Sequence, residues 1–248
     1  QGAQLSGGSR AVELGLITLK GTKSLANVMF ILGLFTAAGI LYTSYLNTGS
    51  TFNAYYAAII ALIGVLVGYF YTAKPIRLSS RYGLGELSIF LSFGPLLTLG
   101  TGFAIANETI QLFSNEFYNL ILLGIPIGLL TTNILFINQY PDYASDKKVG
   151  KNHLVVLLGK KSSRWIYALN LALAVGSLYY IAENILNQTQ GSLFLYLLIP
   201  VTMIYSYYLI AGLFKHYNSR SLIKYNIHTI YFHMLFSFIY MIILANFQ

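Results

Sequence analysis

Asp142 and Asp146 are the only aspartates in the chain, and they stand four residues apart in NQYPDYASDKKVGK, residues 138–151. On a helix that spacing puts both carboxylates on one face, close enough to act together. Two carboxylates so placed repel each other unless a cation lies between them. Mg²⁺ suits such a pair, because it takes one or two carboxylates and completes its shell with water and phosphate oxygens. Lys147, Lys148 and Lys151 would then face the remaining phosphate charge. A second basic segment, YTAKPIRLSSRYGLGE at 71–86, offers Lys74, Arg77 and Arg81 to the same anion. Arginine suits bidentate phosphate contact, and lysine acts as a point charge. Glu86 at the end of that segment has two readings, a base or a negative charge at a helix N-terminus. A third segment, SGGSR at 6–10, is a glycine-rich turn ending in Arg10, whose backbone amides could approach an anion.

The histidines contribute no metal set: His228 and His233 are five apart and do not share a helix face, and His153 and His216 read as loop residues. With no cysteine, disulfides, thiolate metal sites and cysteine nucleophiles are excluded. The plain alternative for the aspartate pair is a solvated loop whose carboxylates offset neighbouring lysines. The scarcity of acid argues against it, since both aspartates of the chain are spent in this one place.

The elements that must position these groups are membrane helices. The chain is 56% hydrophobic and only 9% charged over 248 residues, too little charge to cover a water-soluble domain, which carries roughly 25%. Seven apolar stretches are long enough to cross a bilayer, at 24–46, 52–71, 84–105, 117–137, 165–185, 193–214 and 223–246. They are continuously apolar where barrel strands would alternate, so the fold class is all-α, a polytopic helix bundle in one domain, 1–248. Pro95, Pro126 and Pro200 fall inside spans and predict packed kinks, and Pro141 predicts a bend or a new helical turn just before Asp142.

Sorting charges by loop puts all fifteen lysines and arginines on one side of the alternation. By the positive-inside rule that side is cytoplasmic, and the rule accounts for most of these residues without any further role. The net charge of +8 therefore marks membrane topology, not a nucleic-acid partner. The 21 tyrosines and 16 phenylalanines cluster near span ends, as an interfacial belt does.

At three segments the sequence resembles the UbiA-type superfamily of intramembrane prenyltransferases: SGGSR with the following ELGLIT, YTAKPIRLSSRYGLGELSIFLSFGP, and NQYPDYASDKKVGKNHLVVLLGK. The resemblance covers roughly residues 6–162, and the later spans share only hydropathy with the family. It implies a nine-helix bundle with a central cavity open sideways to lipid. Two Asp-rich motifs on cytoplasmic loops would hold Mg²⁺ and a polyprenyl diphosphate, whose ionised chain attacks an aromatic or other acceptor. Asp142 and Asp146 match the second motif, with Asn138 before it, and Arg10, Asn138, Lys147 and Lys151 would meet the diphosphate. Family members often carry a basic residue four places after a tyrosine. Here Tyr71 has Lys74 at the third place and Pro75 at the fourth, so Lys74 and Arg77 both stand as candidates. The SGGSR and GLGE segments are most similar to quinone-pathway members, especially 1,4-dihydroxy-2-naphthoate polyprenyltransferases.

The family pattern needs two acidic clusters and nine spans. This sequence holds one cluster and seven spans, and the resemblance begins where the first cluster should just have ended. The expectation is therefore that two spans and the first cluster precede Gln1, and that the chain alone is inactive. The implied setting is an integral protein of a bacterial or archaeal cell membrane, with the active-site loops cytoplasmic. Two readings from other classes compete: a cation-coupled transporter, which would hold its acidic pair near the bilayer midplane, and a catalytically silent membrane scaffold.

Overall fold

The computed structural model describes residues 11–12, 14–187 and 189–246. Among the described residues there are eight α-helices, α1 (Leu19–Thr48), α2 (Thr51–Thr72), α3 (Leu84–Phe93), α4 (Pro95–Ile105), α5 (Asn115–Lys148), α6 (Leu154–Asn184), α7 (Gln190–His216) and α8 (Leu222–Asn246), with a short 3₁₀ turn at Leu78–Ser80. Taking α3 and α4 together, seven of these units are long and apolar enough to cross a membrane. Each expected span falls within one of them to within a residue. The all-α polytopic bundle is thus the observed architecture.

Helix α5 is the hub, packing against α3, α4, α6 and α8. The main core lies among α5, α6, α7 and α8, where Tyr140, Tyr167, Leu171, Leu178, Leu195 and Phe236 are all at most 2% exposed. A smaller core of Ala57, Leu99, Phe103 and Ile110 joins α2 and α4 to the segment after α4. Helix α1 buries almost nothing. Leu25, Phe30, Leu32 and Phe35 all face outward, a surface that hydrocarbon tolerates and water does not.

Three local departures from the sequence expectation matter. The third span is broken, not kinked: Pro95 opens α4 as its first residue, and Gly94 takes φ −118°, ψ −106° between the two halves. A proline at N1 has no hydrogen bond to lose. Pro126 and Pro200, by contrast, sit inside continuous helices. The fourth span does not stop near residue 137. Helix α5 runs on through Pro141 to Lys148, 34 residues, about 51 Å at 1.5 Å per residue against a hydrocarbon thickness of about 30 Å. Residues 138–148 are therefore a helical extension beyond the apolar crossing, and the expected loop is absent there. The fifth span likewise starts early, at Leu154, and bends at Gly159, whose φ of 76° no helical residue adopts.

The connections fall into two sets. Lys20 and Lys23, the 73–83 loop, the 149–153 turn, Lys160 to Arg164, and the 217–221 turn share one end of the bundle, as the alternation requires. Direct contacts join several of them: Asn152 N–H donates to the Ser80 carbonyl at 3.1 Å, and Arg164 Nη1 donates to the Phe214 carbonyl at 3.0 Å. The opposite end carries no lysine or arginine among the described residues, only Glu108, Glu116 and Glu183. It is closed by Asn53, fully buried, whose amide donates to the Glu108 carbonyl at 2.9 Å and accepts from Ile110 N–H at 3.0 Å.

Candidate functional site

The aspartates sit on the projecting end of α5, one turn apart on one face. The helix continues past Pro141 because the extension is packed from below: Tyr140 is fully buried, with its hydroxyl 2.8 Å from Ser163 Oγ on α6. Asn138, one turn before Asp142, is held by α8, since Asn226 Nδ2 donates to its Oδ1 at 2.6 Å. The first candidate group on the face is thus already oriented by a neighbouring helix.

The two carboxylates differ in their surroundings. Asp146 is buried, and both its oxygens are engaged: Lys151 Nζ lies 2.7 Å from Oδ1 and His153 Nε2 lies 3.1 Å from Oδ2. His153 caps α6, its Nδ1 accepting from Val156 N–H at 3.4 Å. An accepting Nδ1 leaves the proton on Nε2, so a neutral imidazole can still donate to Asp146. Asp142 is half-buried, and among the described residues no hydrogen bond or ion pair engages its carboxylate. Partial burial, and then the charge of Asp146, push its carboxyl above the usual value, against a smaller pull from Lys151 and His153.

Residues 151–153 run extended into Leu154, the first residue of α6, and the four alternate in what they grip. Lys151 and His153 reach Asp146 on α5, while the backbone N–H groups of Asn152 and Leu154 reach the other way, to the Ser80 carbonyl and to Glu86. A chain that points successive groups to opposite sides becomes a strip joined on both edges. Gly150, at φ +74°, makes the reversal that sends it back along α5.

Glu86 faces the far edge of that strip. It is 4% exposed, and one oxygen, Oε1, accepts from both Leu154 N–H and Gln139 Nε2 at 3.0 Å each. Of its two expected roles, helix charge fits its place in the first turn of α3. The dominant role was not foreseen: it cross-links α3, α5 and the start of α6. Arg81 is also structural, its guanidinium donating to the Ile76 and Pro75 carbonyls at 2.6 and 2.8 Å and so closing the loop on itself.

That leaves Lys74 and Arg77 exposed on a loop whose far end is tied to the 151–154 strip. Lys147 and Lys160 both stand near the Tyr143 ring, at 5.9 and 5.6 Å from its centre. Lys151, expected to face phosphate, instead pairs with Asp146. Arg10 lies outside the described residues. The structure therefore brings together Asn138, Asp142, Asp146 and Lys151, places the loop of Lys74 and Arg77 on the same end, and forms no ion pair between that loop and either aspartate among the described residues. His153 and His216 are not loop residues, being the N-cap of α6 and the last residue of α7. His153 was missed because its partner lies across a reversal; the glycine at 150 followed by a capping residue is the signal that marks such a turn.

Among the described residues no three His, Cys, Asp or Glu side chains form a closed metal cage. The donor set fits an ion that shares its shell with a ligand: Asp142 offers a carboxylate free to bind, and Asp146 offers one after Lys151 or His153 yields. Mg²⁺ held by one or two carboxylates plus phosphate oxygens has that requirement. Away from this end, an apolar cavity of about 430 Å³ lies between α1, α2, α3 and α4, lined among others by Leu41, Ile60, Leu96 and Gly100.

A model of the UbiA prenyltransferase family matches residues 9–240. A 2-carboxy-1,4-naphthoquinone phytyltransferase of Synechocystis sp. is 32% identical over 168 residues, 67% of this chain and 49% of the relative. A 1,4-dihydroxy-2-naphthoate octaprenyltransferase of Bacillus subtilis is 31% identical over 122 residues, 49% of this chain and 37% of the relative. One of the same description from Haemophilus influenzae is 27% identical over 189 residues, 76% of this chain and 57% of the relative. The chain thus spans about half the length of these curated relatives. No solved structure gives a significant match.

Proposed function

The chain belongs to the UbiA prenyltransferase family, and from that premise we propose that its protein transfers a polyprenyl group from a prenyl diphosphate to an aromatic quinone precursor within the membrane. The observation that carries this reading is the pair Asp142 and Asp146, one carboxylate free and one held by Lys151 and His153, at the basic end of the bundle. Relatives that act on naphthoate-type acceptors favour a bicyclic hydroxylated aromatic as the acceptor.

In the proposed reaction the allylic carbon–oxygen bond breaks, and its electron pair leaves with the diphosphate. An aromatic carbon of the acceptor then bonds to the allylic cation and gives up its proton. Mg²⁺, when bound, would supply positive charge against the leaving diphosphate. Asp142 and Asp146 would hold that ion, and Lys74, Arg77 and, once released from Asp146, Lys151 would hold the phosphate oxygens. Asn138, fixed by Asn226, orients the α5 face just below the carboxylates. The apolar bundle keeps water from the cation, and the cavity between α1, α2, α3 and α4 suits a hydrocarbon tail, not a headgroup.

The test is a transferase assay on the product of the complete reading frame in lipid, with labelled prenyl diphosphate and a panel of aromatic acceptors. The expected result is a prenylated acceptor formed only with Mg²⁺, fastest with a dihydroxynaphthoate. A protein that neither binds prenyl diphosphate nor forms product with any acceptor would overturn the reading in favour of the transporter or scaffold.

A further inference from the structure

We propose that Glu86 is a positioning residue of the diphosphate site, holding the loop of Lys74 and Arg77 at a set distance from the helix end of Asp142 and Asp146. The proposal rests on the functional reading above and adds a residue that touches neither ion nor substrate.

The argument starts from which groups Glu86 joins. Gln139 Nε2 belongs to α5, next to Asn138 and three residues before Asp142, so its bond to Glu86 fixes the rotation of the site helix. Leu154 N–H belongs to the strip that also grips Asp146 through Lys151 and His153. Both donors converge on one carboxylate oxygen, so a single atom sees the site helix and the strip at once. The loop side is equally tight. A Cβ on Gly85 would lie 2.9 Å from Ser79 Cα and 3.2 Å from the Leu78 carbonyl oxygen, so the first turn of α3 rests directly on the 3₁₀ turn of the loop. Moving Glu86 moves that turn.

The cost of the arrangement points the same way. Glu86 Oε2 and Gln139 Oε1 are buried with no hydrogen-bond partner among the described residues. A half-satisfied buried carboxylate is expensive, and an apolar contact would pack the same space without that penalty. What the carboxylate supplies, and an apolar side chain would not, is an acceptor at a fixed point between three elements. Phosphate held between two separately mounted groups needs their separation set in advance.

The chain lacks cysteine, so labels at Ile76→Cys and at the exposed Val149→Cys report the loop-to-helix distance directly. The product of the complete reading frame, in lipid nanodiscs and with any cysteine outside this chain replaced, is measured as wild type, Glu86→Ala, Glu86→Gln and Leu154→Pro. The last removes the strip's donor, at an N1 position that tolerates proline, together with the Leu154 side chain that packs beside Gly83. With Glu86→Ala the distance distribution should broaden, and KM for prenyl diphosphate should rise about tenfold, the weight of roughly one hydrogen bond. KM for the acceptor should not change. Glu86→Gln keeps an accepting oxygen and should restore both the narrow distribution and the KM. Leu154→Pro should follow the alanine variant more weakly. An unchanged distribution and KM in Glu86→Ala would overturn the proposal. So would a Glu86→Gln variant that keeps the narrow distribution yet loses activity, because the charge itself would then be in use. A wild type without Mg²⁺-dependent prenyl diphosphate binding would overturn the functional reading instead, and the label distances would still decide whether Glu86 holds the loop.

Discussion

The two ends of the bundle solve the same problem with different chemistry. Each must hold connecting segments against helix ends and satisfy the backbone groups left there. The end without lysine or arginine does so with one buried amide, Asn53, which meets one donor and one acceptor of the segment after α4, and with Ser44, whose hydroxyl donates to the Phe103 carbonyl at 3.0 Å. The basic end uses Asp146, Lys151, His153 and Glu86, and it leaves Asp142 without a partner among the described residues. Since an amide closes one end well, closure alone does not call for ions. The charged version fits the proposed diphosphate and its cation, because a lysine could leave a carboxylate to an arriving metal.

The comparison breaks most sharply at the aspartates. Asp142→Asn and Asp146→Asn should each cut Mg²⁺-dependent prenyl transfer by about a thousandfold, the several kcal/mol a metal supplies at developing charge. Membrane insertion and helix content by circular dichroism should be unaffected. Near-normal turnover at low millimolar Mg²⁺ in either variant would make the pair an ordinary surface feature. Lys74→Ala and Arg77→Ala should come next, weakening diphosphate binding about ten- to a hundredfold, as charged hydrogen bonds do, with a smaller effect on turnover. Equal affinity in titrations of both variants would remove the loop from the site.

At the end without lysine or arginine Asn53→Ala should lower stability by about 1–3 kcal/mol, because it strands the buried Ile110 N–H and removes the bond to the Glu108 carbonyl. Thermal unfolding in detergent should show the loss, and the Mg²⁺ dependence of turnover should stay that of the wild type. A changed Mg²⁺ dependence would mean that the ends are coupled. The smallest perturbation concerns sidedness. Single cysteines at Ser79, Ser145 and Ser219 should resist a membrane-impermeant thiol reagent in intact cells, and those at Ser50 and Ser114 should react. The opposite pattern would invert the orientation.

Much of the fold is legible in the residues themselves, because crossing a bilayer imposes a length and composition that local windows reveal. The loop charges then check the count. The broken third span is not legible in that way. Pro95, Pro126 and Pro200 read alike, and only Gly94 pressed against α5 distinguishes a break from a tolerated proline. The aspartate pair is visible from its spacing and scarcity, but its helical setting is hidden by Pro141, which reads as a boundary and is overridden by packing around Tyr140. The contacts of Glu86 join residues 53 and 68 positions away, and no local pattern encodes a partner at that range. His153 is intermediate, seven residues from Asp146 and findable from the turn at Gly150.

The break at Gly94 carries a consequence for how such a sequence can drift. A methyl group on Gly94 would lie 2.7 Å from the Gly124 carbonyl oxygen, one on Gly124 would lie 2.6 Å from the Gly94 carbonyl oxygen, and one on Gly128 would lie 2.6 Å from the Phe90 carbonyl oxygen. Each obstacle is backbone, which cannot turn aside as a side chain can. No single replacement among the three has a neutral first step, and compensation would need the two helices to separate along their whole contact. The trio should therefore behave in inheritance as one character: in descendants that keep the broken span all three stay glycine, and in lineages where the span becomes continuous they are free to be lost together.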